Sequence, residues 1–438
     1  MKRIIYATLA IMLSANMAEA QTYTLRKCIE TGLENNYSLR ITRNREEIAG
    51  NNATLANAGY LPTVDINAGY NGSLNNSDSE LRSNGETDEV RNSLDHTLNA
   101  GIGVSWTIFD GFNISTTYKQ LKEMQRMGET DTRIAIEDFI ADMASEYYNF
   151  IRQRQRLYNY YNAVLLSKER LRIVEERYNI GNFSRLDYQQ AKVDFNADSA
   201  QYIKQQEIVI TSRIALNEMM AIDQVYTPIE TSEMNIDIDS TLNFTDLWNG
   251  TLSSNANLLL ASQNSTLAEL DYKKVLSRNY PYLKLNLGYD YSRSKYDTNS
   301  YIRRSNWGGS ATVSIGFNLW NGNRRREKRN AKIEIENARL QREQLELTLK
   351  ADLGNMWQAY RNNLQLLNLE RLNVVTAREN HEIAKERYML GDLSGIEMRE
   401  AQQSLLNAEE RLLAVEYDTK ICEISLLLIS GKIMDYLK

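Results

Sequence analysis

Few side chains in this 438-residue sequence are placed to do covalent chemistry. There are two histidines, His96 and His381, and two cysteines, Cys28 and Cys422. Neither histidine has a companion histidine or cysteine at the spacing of a metal site. The sequence also lacks a phosphate-binding loop, a nucleophile elbow and an HExxH motif. These observations predict a protein that is not an enzyme and that uses no cofactor and no metal.

The most regularly placed carboxylates are Asp187 and Glu397. Each follows a serine by three residues, Ser184 in one case and Ser394 in the other. A serine followed at this spacing by an acid is typical of a capping box at the start of a helix. The same acids can also have a functional role, and both roles can hold at once.

These serines and acids belong to a segment that occurs twice. The motif Glu-Arg-Tyr-x-[Ile/Leu]-Gly occupies 176–181 and again 386–391, an offset of 210 residues. Two other pairs of stretches recur in the same order, 62–70 with 281–289 and 104–111 with 315–322. A repeat of nearly half the chain indicates a duplicated half-protein rather than a short solenoid unit.

Four stretches alternate between apolar and polar residues with a period of two, which predicts strands. They lie at about 60–70, 100–109, 281–291 and 310–320, with aromatic residues near their ends. Each has about the length of a bilayer-spanning strand, and aromatic ends suit membrane interfaces. A soluble sheet packed on one face is the alternative. It is disfavoured because the stretches form two hairpins, predicted to be joined by long polar loops at 71–99 and 292–309.

Four strands are too few to close a barrel, since about eight is the practical minimum. Open sheet edges are not tolerated in lipid, so a membrane barrel built from these strands must be shared between chains. Two chains would supply eight strands and three chains twelve.

The rest of the sequence predicts two long helical hairpins, at about 113–222 and 324–430. Gly181 and Gly391 mark their turns, because glycine tolerates the positive φ of a helix end. The predicted organisation is therefore a first repeat at 21–222, a connecting segment at 223–244 and a second repeat at 245–438.

The first 20 residues predict a cleaved export signal, with Lys2 and Arg3 before an apolar stretch and Ala18-Glu19-Ala20 at its end. No later stretch is apolar for long enough to form a transmembrane helix. The net charge of −6 argues against nucleic acid as a partner. Cys28 and Cys422 either form a disulfide in an oxidising compartment or remain two buried thiols.

The duplicated order of strand, loop, strand, helix, turn and helix resembles the outer-membrane efflux protein family, the TolC-like exit ducts of Gram-negative bacteria. The resemblance covers essentially the whole mature chain. It rests on the Pro-x-[Val/Leu]-x-[Ile/Leu] strand starts, the [Phe/Trp]-[Asp/Asn]-Gly strand ends and the two Arg-Tyr-x-[Ile/Leu]-Gly turns. It implies a mixed α/β membrane protein, a homotrimer whose twelve-stranded outer-membrane β-barrel continues into a periplasmic α-helical tunnel. The implied partners are outer-membrane lipid, a periplasmic adaptor protein and an inner-membrane pump.

The same resemblance implies roles for particular residues. A periplasmic gate would involve Glu397, Glu400, Asp187 and Tyr388, the last two as a hydrogen-bonded latch. Leu393 stands where a better-known member has a basic latch residue, and Arg185 and Arg399 are the candidate substitutes. The residues implied to contact the adaptor are Tyr178, Gly181, Asn182, Phe183, Ser184, Gly391, Asp392, Leu393 and Ser394.

Two other functions compete with an efflux duct. A type I protein secretion duct has the same fold and differs in its pump. A soluble periplasmic coiled-coil scaffold has long helices but no reason to keep four strands with apolar faces and aromatic ends.

Overall fold

The computed structural model describes residues 21–80, 85–298 and 301–437. The predicted export signal, residues 1–20, lies outside the described residues. The strands among them are β1 (Gln21–Tyr23), β2 (Thr63–Glu80), β3 (Thr87–Asp110), β4 (Ile229–Thr231), β5 (Tyr282–Lys295) and β6 (Arg303–Gly316). The helices are α1 (Leu25–Asn35), α2 (Tyr37–Asn52), α3 (Leu55–Ala58), α4 (Asn113–Asn179), α5 (Arg185–Met219), α6 (Phe244–Ser254), α7 (Ala256–Ser277), α8 (Asn323–Leu390) and α9 (Gly395–Ile429), followed by a 3-10 turn at Ile433–Leu437.

The element order repeats along the chain. A strand hairpin, β2–β3, precedes the helical hairpin α4–α5, and β5–β6 precedes α8–α9. The long helices α4 and α8 contain 67 and 68 residues, and α5 and α9 contain 35 each. Proline interrupts none of these helices, since Pro62, Pro228 and Pro281 all lie between elements. The helices begin and end within a few residues of the bounds predicted from the sequence.

The four long strands form one antiparallel sheet in the order β2-β3-β5-β6. The period-two pattern separates its faces. One face carries large exposed apolar side chains, which include Val64, Ile66, Tyr70, Ile102, Tyr289, Trp307, Val313 and Ile315. The opposite face carries small and polar residues, and there Asp290 lies over Gly101, beside Asn67.

The prediction of long polar loops at 71–99 and 292–309 is wrong. Strand β2 continues to Glu80 and β3 begins at Thr87, while β5 and β6 are separated only by residues 296–302. Polar composition misled the prediction, because ladder hydrogen bonds use the backbone and allow polar side chains on both exposed faces. At the other end, β6 stops at Gly316, short of the predicted 320.

Contacts divide the chain into two compact units, each with segments from both repeats. The helical unit takes the described parts of Met1–Asn44, Thr130–Leu259 and Glu343–Lys438, and the sheet unit takes Arg45–Glu129 and Leu260–Arg342. In the helical unit, β1 pairs in parallel with β4. Its main core includes Cys28, Ile140, Met143, Tyr147 and Leu216, all fully buried.

Two features of the described residues bear on the sequence-based expectations. No helix of the described chain has both the length and the apolarity to cross a membrane. Cys28 and Cys422 are free and buried, so the alternative of two buried thiols is the one observed. Burial raises the pKa of the Cys28 thiol to about 12, which keeps it protonated and unreactive.

Candidate functional site

The two helical hairpins of the helical unit turn at equivalent residues. We call residues 178–188 the first turn and residues 388–398 the second turn. All the predicted site residues except Glu400 lie in these turns, and Glu400 follows the second turn on α9.

Both turns have the same backbone geometry. Gly181 has φ of 81° and Gly391 has φ of 89°. The amide of Gly181 donates to the carbonyl three residues earlier at 3.0 Å, and that of Asn182 to the carbonyl five residues earlier at 2.8 Å. The equivalent distances for Gly391 and Asp392 are 3.2 and 2.9 Å. This is the Schellman pattern of a helix end, which requires the positive φ that glycine allows.

A capping box starts the return helix after each turn. The Ser184 Oγ accepts from the Asp187 amide at 3.2 Å, and the Asp187 carboxylate accepts from the Ser184 amide at 3.1 Å. Ser394 and Glu397 make the same two hydrogen bonds at 3.2 and 3.0 Å. Hydrogen bonds from Ser394 lower the pKa of Glu397. The capping role predicted for both acids is confirmed.

Glu400 has a different setting from the capping acids. It is exposed, one helical turn beyond Glu397. Both glutamates line a groove of about 300 Å³ between α8 and α9, together with Arg387 and Leu393. The groove therefore brings together two of the predicted gate acids and one cation.

Equivalent tyrosines of the two turns have different surroundings. Tyr178 is 37% exposed and its ring stacks on that of Tyr188, with centroids 5.5 Å apart and an angle of 7° between the planes. Tyr388 is only 2% exposed. The guanidinium of Arg177, from the first hairpin, lies 5.6 Å from the centre of the Tyr388 ring and donates to the Met389 carbonyl at 2.8 Å.

The predicted latch between Tyr388 and Asp187 is not a hydrogen bond within this chain. The Tyr388 hydroxyl has no hydrogen-bond partner among the described residues. The Asp187 carboxylate instead accepts from Ser184. Burial raises the pKa of Tyr388, and the negative charge of Asp187 adds to that shift. The two groups are close enough to interact electrostatically, and their gating role stays a prediction.

Two ion pairs near the turns were not anticipated from the sequence. Arg170 of α4, 4% exposed, donates to Asp194 of α5 at 2.5 Å. Arg399 of α9 donates to both oxygens of Asp198 at 2.6 and 2.7 Å. Two aspartates spaced by four residues therefore tie α5 to two other helices. Arg399, named above as a substitute latch residue, instead forms its ion pair with Asp198.

The turns also expose aliphatic side chains. Ile180 and Leu186 are 72% and 75% exposed, and their equivalents Leu390 and Ile396 are 77% and 76% exposed. Sequence reasoning did not select these four residues as a set, although the offset of 210 residues relates both pairs. The nine residues predicted to contact an adaptor are all partly or fully exposed.

Neither histidine joins a metal-binding group. His96 contacts the Tyr70 hydroxyl through Nδ1 at 2.6 Å, and His381 is buried on α8. Among the residues that the structure describes, no three potential ligands are grouped so that they could hold a metal ion.

A strand hairpin followed by a long helical hairpin, present twice, is a fold shared with outer-membrane channel proteins. One solved example is a membrane protein from Pseudomonas aeruginosa, with a TM-score of 0.76 and 16% identity over 94% of this chain and 91% of that one. Another is the CmeC outer membrane channel of Campylobacter jejuni, with a TM-score of 0.75 and 18% identity over 93% and 85%.

The chain belongs to the outer membrane efflux protein family, whose model matches residues 28–221 and 247–432. It is also similar to the outer membrane protein TolC of Vibrio cholerae, with 24% identity over 183 residues. That alignment covers 42% of this chain and 40% of the Vibrio protein. The family is one of channels rather than enzymes.

Proposed function

We propose that this chain forms, as a homotrimer, a passive exit duct in the outer membrane of a Gram-negative bacterium. Substrate would enter from an inner-membrane pump through a periplasmic adaptor and leave without chemical change. The observation that carries the proposal is the equivalent pair of exposed aliphatic residues on each helical turn. Membership of the efflux protein family supports it.

The sheet unit supports assembly in the membrane. Strands β2 and β6 end the order β2-β3-β5-β6, so each pairs on one side only within the described chain. One face of the sheet is exposed and apolar. Unpaired edges are not tolerated in lipid. Three copies joined edge to edge would give a twelve-stranded barrel with its apolar faces toward lipid.

The aliphatic pairs support docking of the adaptor at the turns. Ile180, Leu186, Leu390 and Ile396 are each more than 70% exposed. Full burial of one such side chain contributes about 1.5–3 kcal/mol. The predicted contact residues around them add backbone and hydroxyl groups that can form hydrogen bonds.

The acids of the second turn support a charged gate. Three-fold symmetry would bring together six carboxylates from Glu397 and Glu400. Like charges that close favour bound cations. Glu397 is held by Ser394, so Glu400 is the carboxylate free to meet a passing ion. Opening would be a loosening of the helical hairpins biased by the adaptor, with Tyr388 and Asp187 as a latch.

The gate is tested by single-channel conductance of the purified protein in planar bilayers. We expect small, cation-preferring currents from the natural chain and reduced cation preference in Glu400→Gln. Glu207→Gln, an exposed acid farther along α5, is the matched control and should leave the preference unchanged. Equal currents and equal preference in all three proteins would remove Glu400 from the gate.

Adaptor docking is tested by co-purification with periplasmic adaptor proteins of the organism that makes this chain. The variant Leu390→Ser/Ile396→Ser should lose most of the adaptor, because it loses exposed apolar surface on the second turn. Ile203→Ser, at an α5 residue that is 64% exposed, provides the control and should retain the adaptor. Equal retention by both variants would contradict docking at the second turn.

A type I secretion duct would co-purify with a different kind of pump, so identifying the pump that accompanies the adaptor separates it from an efflux duct. A periplasmic scaffold would be released with the soluble periplasm and would give no conductance.

A further inference from the structure

The sheet unit places four basic side chains together at one end of its apolar face. The register pairs His96 of β3 with Lys295 of β5, and Lys295 with Arg303 of β6. Arg293 precedes Lys295 by two residues on β5 and therefore projects from the same face. Arg293, Lys295 and Arg303 are all exposed.

This arrangement concentrates positive charge that the described chain does not neutralise. Lys295 and Arg303 are directly opposite each other, and like charges in that position destabilise a sheet. None of Arg293, Lys295 and Arg303 forms an ion pair with any described residue. An anion from the surroundings can therefore offset their repulsion.

The position of the cluster along the strands indicates where that anion would come from. Tyr291 pairs with Trp307 on the same face, two residues before Arg293 and four before Lys295. At about 3.3 Å per residue, the cations lie about 7–13 Å beyond this aromatic pair. Aromatic pairs of this kind mark the interface of a membrane strand, and lipid headgroups lie just outside it.

We propose that Arg293, Lys295 and Arg303 bind the phosphate of a lipid headgroup on the outward face of the sheet. The inference rests on the proposed insertion of this sheet into the outer membrane. The ligand is a lipid with a phosphomonoester, whose charge of about −1.5 to −2 matches several cations better than a zwitterionic headgroup does.

The side-chain types suit this ligand. Two guanidinium groups can each hold phosphate oxygens in a bidentate way, and the lysine adds a compact charge between the two strands. His96 borders the cluster, and its hydrogen bond with Tyr70 holds the ring in place. The choline of a zwitterionic lipid would be repelled by the same cations.

The test uses full-length protein incorporated into vesicles of phosphatidylcholine that contain phosphatidic acid. After extraction in a non-ionic detergent, native mass spectrometry measures which lipid stays bound. We expect strong enrichment of phosphatidic acid. Each basic residue near a lipid surface contributes about fivefold in affinity, so Arg293→Gln/Lys295→Gln/Arg303→Gln should reduce the enrichment on the order of 100-fold.

The strand supplies a closely matched control. Arg303 and Arg304 are neighbours with the same charge but project from opposite faces of β6. Arg303→Gln should reduce the enrichment about fivefold, and Arg304→Gln should leave it unchanged. Equal losses in the two variants would overturn the site, because net charge alone would then explain the binding.

Other results would also overturn it. Undiminished enrichment in the triple variant would exclude these residues, and displacement of the lipid by inorganic phosphate would indicate a general anion site. Conductance in pure phosphatidylcholine bilayers separates this inference from the proposed function. Channels that conduct without preferring phosphatidic acid overturn only the lipid site, whereas failure to insert overturns both.

Discussion

The two helical hairpins share a turn and differ in what holds their helices together. In the first hairpin, Arg170 and Asp194 form an ion pair between α4 and α5. The equivalent residues of the second hairpin are Asn380 and Ser404, which line the open groove that also contains Glu400. After the duplication, the turn was preserved, whereas the contacts between the two helices next to the turn diverged. Ion pairs such as that of Arg378 with Glu409, at 3.1 Å, also join α8 and α9 farther from the turn, so the difference is confined to this position. We therefore expect the second hairpin to be less tightly held next to its turn.

Equivalent arginines diverge in the same way. Arg177 of the first hairpin reaches the Tyr388 ring and the Met389 carbonyl of the second. Arg387 donates to the carbonyl of Asp392 in its own turn, at 3.4 Å. At this pair of equivalent positions, the arginine of the first hairpin thus contacts the second hairpin, whereas the hydrogen bond of the second arginine stays within its own turn.

We expect the largest difference in stability between the hairpins when the buried ion pair of the first hairpin is lost. Asp194→Ala leaves the Arg170 guanidinium, 4% exposed, without its counter-charge. We expect the free energy of unfolding to fall by about 3–5 kcal/mol, measured by urea unfolding followed through helical circular dichroism. Ser404→Ala in the second hairpin should change it by less than about 0.5 kcal/mol.

A double variant provides the control for that prediction. Arg170→Met/Asp194→Ala removes both charges and should recover much of the lost stability, because no unpaired charge stays buried. If the double variant is as unstable as Asp194→Ala, packing rather than charge explains the loss.

Replacing the turn glycine should have a smaller effect on stability, and that effect should be equal in the two hairpins. Gly181→Ala and Gly391→Ala each force an alanine into positive φ, which costs about 1–2 kcal/mol. Apart from the glycine itself and its two chain neighbours, no described residue has an atom within 4 Å of the position that either new Cβ would occupy, so the cost is confined to the backbone. The same unfolding measurement should give matching losses. A difference of more than about 1 kcal/mol between them would show that the turns are not equivalent.

The smallest effect concerns the dependence of stability on pH. The pKa of Glu397 is lower in the folded chain than in the unfolded chain. Its contribution to the free energy of unfolding is therefore fully present above the unfolded pKa of about 4.3. That contribution is lost as the pH falls through the folded pKa. In Glu397→Gln this part of the acid-induced loss of stability should be absent. Unfolding midpoints from about pH 6 to about pH 3 test this. An unchanged acid profile would contradict it.

Much of the fold follows from local sequence, because the signals are local. Gly181 and Ser184 specify the end of one helix and the start of the next through bonds within a few residues, and the same holds at Gly391. The strand alternation likewise follows from neighbouring residues. The strand lengths were less predictable, because the ladder through Asn75 and Leu94 depends on backbone pairing rather than on composition.

The candidate site was less predictable, because its contacts join distant parts of the chain. Asp198 and Arg399 are 201 residues apart, and no local pattern pairs them. The burial of Tyr388 beneath Arg177 also depends on the packing of one hairpin against the other. The exposed pair Leu390 and Ile396 is different, since its recurrence at the repeat offset was visible in the sequence.

The one-sided pairing of β2 and β6 affects how readily the newly made chain aggregates. If the edges pair between copies, as proposed above, each newly made copy first carries two rows of backbone donors and acceptors that are unpaired within the described chain, beside an apolar face. Such edges pair readily with the wrong strand, so the interval between synthesis and assembly is the period of greatest risk of aggregation. In the proposed trimer the copies would have to meet by diffusion, so that interval would shorten as the chain becomes more abundant.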